Sequence, residues 1–270
     1  MDARLPQTRF LTTQGLGQVN SMKQNILMGQ RFLRSRAVRD RIIAAAELSH
    51  SDTVLEVGPG DGFLTEALAA HAGRVIAVEK DARFAALLKE KFKEIKNVEI
   101  VEGDMLKFLI SNFEFLNKSK IVANIPYYIT SRFLRQVLEA KQKPELMVLM
   151  VQKEVADRMT AKPPYMNMLA LAVQAFGKVK RVAQVPARVF TPPPRVDSAI
   201  IKIFDISGTF FEKHHITPEQ LFSLSRRAFA QKRKMLSNSI GLTGDTRRPQ
   251  ELSLEDWACL TARQAAIAKV

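Results

Sequence analysis

Val54-Leu55-Glu56-Val57-Gly58-Pro59-Gly60-Asp61-Gly62-Phe63-Leu64-Thr65 is the stretch that decides the fold. Thr53–Val57 is short and mostly apolar, as a strand covered on both faces requires. The alternating Gly58, Gly60 and Gly62 let the chain turn sharply and let its backbone approach a ligand closely. Phe63–Ala72 then reads as a helix. Working outward, the alternation repeats. Strands are expected at Val75–Glu79, Val98–Val101, Ile121–Asn124, Leu146–Val151, Val179–Val185 and Ser198–Phe204. Helices are expected from Ser35, with Val38, Ile42, Ala45 and Ala46 on one face, at Ala82–Phe92, from a capping Thr130 to about Ala140, and at Asn167–Phe176. This order predicts an α/β fold, a doubly wound and mostly parallel seven-stranded sheet whose last two strands form an antiparallel edge. Beyond Asp205 no strand pattern recurs. Thr217-Pro218-Glu219-Gln220 and Ser253-Leu254-Glu255-Asp256 are helix starts. A catalytic domain over 22–205 and a small all-helical domain over 206–270 follow, after a polar tail at 1–21 expected to be flexible.

The chain carries 41 Lys and Arg against 27 Asp and Glu, a formal net charge of +14, which favours a polyanionic partner. Cys259 is the only cysteine, so no disulfide can close and no thiolate zinc set exists. The four histidines show no ligand spacing either, and no metal is expected. There is no apolar run of membrane-spanning length and no signal-peptide core at the N-terminus, although translation could also begin at Met22 or Met28. A cytoplasmic monomer with no membrane partner is expected.

The glycine turn does not suit a dinucleotide. Counted from Gly58 and Gly60, the third fingerprint glycine should fall at 63, where Phe63 stands, which argues against a dinucleotide-dependent oxidoreductase. No Gly-Lys-Ser/Thr is present. Glu-x-Gly-x-Gly-x-Gly instead resembles the first motif of S-adenosylmethionine-dependent methyltransferases. Glu79 ends the next strand, where a carboxylate can accept from both ribose hydroxyls. Asp104 follows the third strand. It can accept from an adenine amino group while Met105 packs on the ring, or it can simply cap a helix.

Ala123-Asn124-Ile125-Pro126-Tyr127-Tyr128-Ile129 closes the fourth strand. It looks like the Asn-x-Pro-Tyr motif of amino-methyltransferases. Adenine N6 is a poor nucleophile because its lone pair is delocalised into the ring. The Asn124 side-chain oxygen and the Ile125 carbonyl could accept both N6 hydrogens, favour a pyramidal nitrogen and fix its direction. Pro126 stiffens the turn, and Tyr127 can stack on an extruded base.

Taken with Gly29-Gln30-Arg31-Phe32-Leu33, Gln152–Ala156, Phe190-Thr191-Pro192-Pro193-Pro194-Arg195-Val196-Asp197-Ser198 and Arg227–Lys234, these residues resemble the ribosomal RNA adenine dimethyltransferase family over nearly the whole chain. The Phe190–Ser198 and Arg227–Lys234 wordings look like its small-subunit type. The resemblance implies the class I methyltransferase fold with S-adenosyl-L-methionine as cofactor. It also implies two methyls on N6 of each of two adjacent adenosines near the 3′ end of small-subunit rRNA, on a pre-assembled particle. It assigns Gln30, Leu33, Gly58, Gly60, Glu79, Asp104, Met105 and Asn124 to the cofactor. Asn124, Ile125, Pro126 and Tyr127 go to the target base, with Phe190 facing Tyr127 as the second half of an aromatic clamp. Arg31 stands where the family usually has Asn, and Tyr165–Leu169 lacks the family's Tyr-Gly-x-Leu, so a different helix start is expected there.

Arg226, Arg227, Lys232, Arg233 and Lys234 lie in a segment with no acid, with Phe222, Phe229 and Met235 at near-helical spacing. One helix that packs by its rings and grips RNA by its charges is the expectation. The competing readings are a non-enzymatic ribosome assembly factor, a large-subunit rRNA enzyme and a DNA adenine methyltransferase.

Overall fold

The computed structural model describes residues 31–241 and 244–267, and of Tyr127 the backbone alone. The polar tail at 1–21 and Gln30 therefore lie outside the described residues. In chain order the elements are β1 (Phe32–Leu33), α1 (Arg36–Ala46), β2 (Thr53–Val57), α2 (Phe63–His71), β3 (Arg74–Glu79), α3 (Ala82–Phe92), β4 (Val98–Glu102), α4 (Met105–Ser111) and β5 (Lys120–Asn124). Then come α5 (Thr130–Glu139), β6 (Leu146–Gln152), α6 (Lys153–Met159), α7 (Met168–Gln174), β7 (Lys178–Val185), β8 (Phe190–Thr191) and β9 (Ser198–Phe204). The helices α8 (Thr209–Lys213), α9 (Pro218–Ala230), α10 (Leu236–Ser239) and α11 (Leu254–Ile267) complete the set.

Seven strands form one sheet in the order β4-β3-β2-β5-β6-β9-β7. β2 to β6 run parallel, and β9 is antiparallel to both β6 and β7. β5 and β6 are buried almost throughout, as expected of strands covered by helices on both faces. The chain winds outward from β2 through β3 to β4, then returns to the other side of β2 as β5. That reversal opens a crevice at the carboxyl ends of β2 and β5, where α/β sheets take their ligands.

Most helix starts carry the caps their sequences announce. Ser35 Oγ accepts from the Val38 N–H. Thr217 and Gln220 close a capping box with Pro218 in the first turn. Asn167 Oδ1 accepts from the Leu169 and Ala170 N–H groups, which gives α7 its own start where the family's Tyr-Gly is missing. Thr130 is a correction. A 3-10 turn over Tyr127–Ile129 runs directly into α5, so Ile129 holds the cap position and the Thr130 hydroxyl is buried without a partner among the described residues.

The helices after residue 205 do not stand apart from the sheet. Leu221, Phe222, Leu236, Leu252 and Trp257 belong to the same buried cluster as Ile121, Met147 and Ile201 of the strands. Phe176 joins them, with ring centroids 4.8 Å from Phe211 and 6.2 Å from Phe222. Among the described residues no helix is long and apolar enough to cross a membrane.

Candidate active site at the carboxyl ends of the strands

Register brings the two motifs together. Val57 of β2 pairs with Ala123 of β5, so Gly58 and Asn124 leave the sheet side by side. A Cβ placed on Gly58 would lie 3.9 Å from Pro126 Cδ, so the glycine bend leaves about one methyl group's room beside the Asn-Ile-Pro turn. Gly60 has φ +60° and faces Phe32, whose ring would be 3.0 Å from a Cβ there. Any side chain at Gly60 would be strained by the backbone and would press on that wall.

One cleft is lined by Leu33, Gly58, Gly60, Glu79, Asp104, Met105, Asn124, Ile125 and Pro126, all expected from the sequence. Glu79 is buried at the end of β3. Its carboxylate accepts from the Gly60 N–H at 3.1 Å and the Asp81 N–H at 2.9 Å, which pins it beneath the glycine bend. Burial is the larger influence and raises its pKa above the ordinary value. Asp104 takes one of its two expected roles and stands where the other would be played. It caps α4 through the Leu106 N–H at 2.9 Å, and it lines the cleft. Lys80 Nζ lies 2.9 Å from Asp104 Oδ2, and this hydrogen-bonded ammonium holds the Asp104 carboxyl below its ordinary pKa. Met105 follows at the first position of α4, buried against the cleft.

The Asn124 amide donates to the Arg31 carbonyl at 3.1 Å. With the nitrogen end so engaged, the plane of the amide is fixed and Oδ1 is its accepting end. The Ile125 side chain is buried in the core and its N–H donates to the Met150 carbonyl, so the turn is anchored to β6. The Pro126 carbonyl accepts from the Ile129 N–H and closes the 3-10 turn.

Phe190 is placed elsewhere. It was expected to face a target base across from Tyr127, yet it is 3% exposed and lies outside the cleft lining. β8 pairs with β1, setting Phe190 opposite Leu33, and its ring joins the second core cluster with Val38, Leu64 and Ile200. It backs the Phe32–Leu33 wall instead of presenting a face to a base.

The basic residues are also differently built from the expectation. Arg226 and Arg227 are exposed on α9, but the helix ends at Ala230, where Gln231 turns its N–H to the Ala228 carbonyl. Lys232, Arg233 and Lys234 follow in an exposed turn, and Met235 is 42% exposed instead of packed. Gln231 leaves the helical conformation, so the helical period stops before the last three cations. None of the five forms an ion pair among the described residues.

Sequence reasoning did not single out Phe32, Glu56, Lys80 and Tyr128, which also line the cleft. Each sits inside or next to a motif already quoted, which is the signal that could have found them. Glu56 is the acid that opens the glycine motif. It is fully buried beside Thr65, and its Oε2 has no hydrogen-bond partner among the described residues. Burial pushes its carboxyl up to about 8, with Glu79 and Asp61 adding repulsion and Thr65 and Lys91 opposing it. The consequence for stability has a definite sign. Below the ordinary value of 4.5 neither the folded nor the unfolded chain is ionised at this position. From there to about 8 only the unfolded chain gives up the proton, so stability falls and then levels off. Glu56→Gln should match the wild type near pH 4 and exceed it at pH 9 by on the order of a few kcal/mol. Thermal unfolding against pH measures this, and parallel curves for the two proteins would contradict it.

The comparisons with known proteins agree with this geometry. The family model described as ribosomal RNA adenine dimethylase matches residues 21–260. Ribosomal RNA small subunit methyltransferase A of Dehalococcoides mccartyi strain BAV1 is 44% identical over 258 residues, covering 88% of this chain and 87% of that protein. The protein of the same name from Halothermothrix orenii is 40% identical over 220 residues, covering 79% and 72%. Among solved structures, a dimethyladenosine transferase from Plasmodium falciparum superposes with a TM-score of 0.75 at 27% identity, covering 88% of this chain and 98% of that one. The 23S rRNA methyltransferase ErmE gives a TM-score of 0.68 at 27% identity, covering 86% and 98%. With the glycine bend, the Asn-Ile-Pro turn and the acids of β3 and β4 gathered at one cleft, the chain belongs to the ribosomal RNA adenine dimethylase family.

Proposed function

We propose that the chain is a small-subunit rRNA adenine N6-dimethyltransferase, using S-adenosyl-L-methionine to methylate two adjacent adenosines near the rRNA 3′ end during ribosome maturation. The observation that carries this reading is that the glycine bend and the Asn-Ile-Pro turn line one cleft, set side by side by the Val57–Ala123 register. The 40–44% identity to small-subunit enzymes favours that subunit over the large one.

The residues present fit the cofactor. Gly58 and Gly60 offer backbone without side chains, Glu79 a buried carboxylate at a strand end, and Met105 and Phe32 apolar walls. When bound, S-adenosylmethionine supplies a methyl group already activated on a sulfonium, so no nucleophilic side chain is required of the protein. Glu79 would hold the ribose hydroxyls and Asp104 the adenine amino group. Asn124 Oδ1 and the Ile125 carbonyl would receive the two hydrogens of the target N6, turning its lone pair toward the methyl and stabilising the positive charge that develops on nitrogen. One proton must then leave N6 for each methyl added. Tyr127 would stack on the unpaired base.

The protein acts as a monomer in the cytoplasm on a pre-assembled small-subunit particle. Arg226, Arg227, Lys232, Arg233 and Lys234 would grip RNA phosphates, since A-form RNA offers backbone more readily than base edges. Replacing Lys232, Arg233 and Lys234 together by Ala should weaken RNA binding and reduce the log–log salt slope by roughly 0.7–0.9 for each phosphate no longer neutralised. Filter binding across a salt series checks this, and an unchanged slope would remove the turn from the interface. The activity itself is tested by radiolabelled methyl transfer onto immature small subunits, followed by nucleoside analysis. N6,N6-dimethyladenosine in the small-subunit rRNA is the expected product. Label confined to large-subunit RNA or DNA would overturn the assignment.

A further inference from the structure

We propose that Lys80 is a latch over the purine end of the cofactor cleft, and that its ammonium must leave Asp104 before an adenine amino group can take that carboxylate. The inference rests on the S-adenosylmethionine reading and adds a residue that sets affinity and base selectivity within it.

Both oxygens of Asp104 are engaged as the protein stands. Oδ1 accepts from the Leu106 N–H at 2.9 Å, and Oδ2 meets Lys80 Nζ at 2.9 Å. The Leu106 bond is part of the α4 cap and is geometrically fixed. The Lys80 contact is not. Its side chain is 53% exposed on a flexible stem, it lines the same cleft, and Asp104 is the only acid it pairs with among the described residues. Lys80 immediately follows Glu79, the carboxylate assigned to the ribose, and Asp104 immediately precedes Met105, the wall assigned to the ring. The bridge therefore crosses from the end of β3 to the end of β4, where a purine held by those two residues would present its edge. Nearby Tyr128, 63% exposed, lines the same rim and does not compete for the ammonium with a carboxylate.

Chemistry gives the latch a direction. An exocyclic amine on the purine is a donor and competes with the Lys80 ammonium for Asp104. A 6-oxo group is an acceptor and cannot make that exchange. It would be met by the ammonium instead. Lys80 thus hinders the binding of the adenine compound and favours that of its 6-oxo analogue. A pair this exposed is worth at most a modest amount, so the effect is a small multiple rather than orders of magnitude.

Calorimetric titration of the full-length protein with S-adenosylhomocysteine and with S-inosylhomocysteine, for wild type, Lys80→Met and Lys80→Gln, tests this without any turnover. Both variants should bind S-adenosylhomocysteine about 2- to 5-fold more tightly than wild type. Neither should bind S-inosylhomocysteine more tightly. Raising the salt should tighten S-adenosylhomocysteine binding to wild type more than to either variant, because salt screens the exposed pair that is being displaced. Equal or weaker binding of S-adenosylhomocysteine by the variants would overturn the latch, as would an equal tightening for both ligands. Failure of the wild type to bind S-adenosylhomocysteine would instead overturn the cofactor reading, and the latch with it.

Discussion

Asn124→Ala should reduce methyl transfer by about 10²- to 10³-fold, the scale seen when one preorganised group is removed from a developing charge. Its affinity for S-adenosylhomocysteine should stay within a few-fold of wild type. The separation follows from where Asn124 sits. The residues proposed to hold the donor, Gly60, Glu79, Asp104 and Met105, lie on the β2–β4 side of the cleft, while Asn124 leaves β5 on the other side. Removing its amide deletes an acceptor for the target amino group and the bond to the Arg31 carbonyl. It leaves the Val57–Ala123 register and the Ile125 anchor on β6 in place. Single-turnover methylation beside calorimetry measures both quantities. A variant that transfers methyl at the normal rate would take Asn124 out of the chemistry. It would also favour a role as an assembly factor, for which the fold alone suffices.

Trp257→Ala should lower the free energy of unfolding by about 3–5 kcal/mol, enough to consume much of the stability of an ordinary domain. Trp257 is completely buried, and its ring stacks on Phe229 with centroids 5.5 Å apart. It belongs to the cluster that runs from the strands into α9 and α11. Its Nε1–H has no hydrogen-bond partner among the described residues, and burying a donor that way carries a cost. Trp257→Phe should consequently be much milder than Trp257→Ala, because removal of the orphaned donor offsets part of the cavity. Urea unfolding followed by circular dichroism measures both. A loss below about 1 kcal/mol for the alanine variant would mean that the indole is not the keystone its burial implies.

The central strands were legible because they are buried on both faces. Thr53–Val57 and Ser198–Phe204 fall where their apolar runs place them. The caps at Ser35 and Thr217 were legible by residue type, whereas β7 at the antiparallel edge is largely exposed. The cleft was legible wherever a residue stands at a strand end. What escaped depends on pairings far along the chain. Nothing near Phe190 announces that Leu33, from the opposite end of the sheet-forming chain, will pair with it and draw its ring into the core. The helix expected through Lys234 fails at Gln231 because the backbone of one residue leaves the helical region, which no hydrophobic period encodes. Thr130 looked like a cap by residue type, but the tight turn ahead of it had already started the helix. Lys80 reads as an ordinary surface cation until β3 and β4 are seen to end next to each other.

The continuous core beneath the cleft and the terminal helices has one more consequence. A basic surface riding on a loosely tethered appendage would sample many distances from the chemistry. Here α9 is seated on the same packed interior as β5 and β6, so the cations it carries and the turn after it stand at a constant interval from Asn124. If those cations hold RNA as proposed, such a molecule would work as a ruler. It would select an adenosine by how far that nucleotide lies from a gripped stretch of backbone, and letters in between would not need to be read.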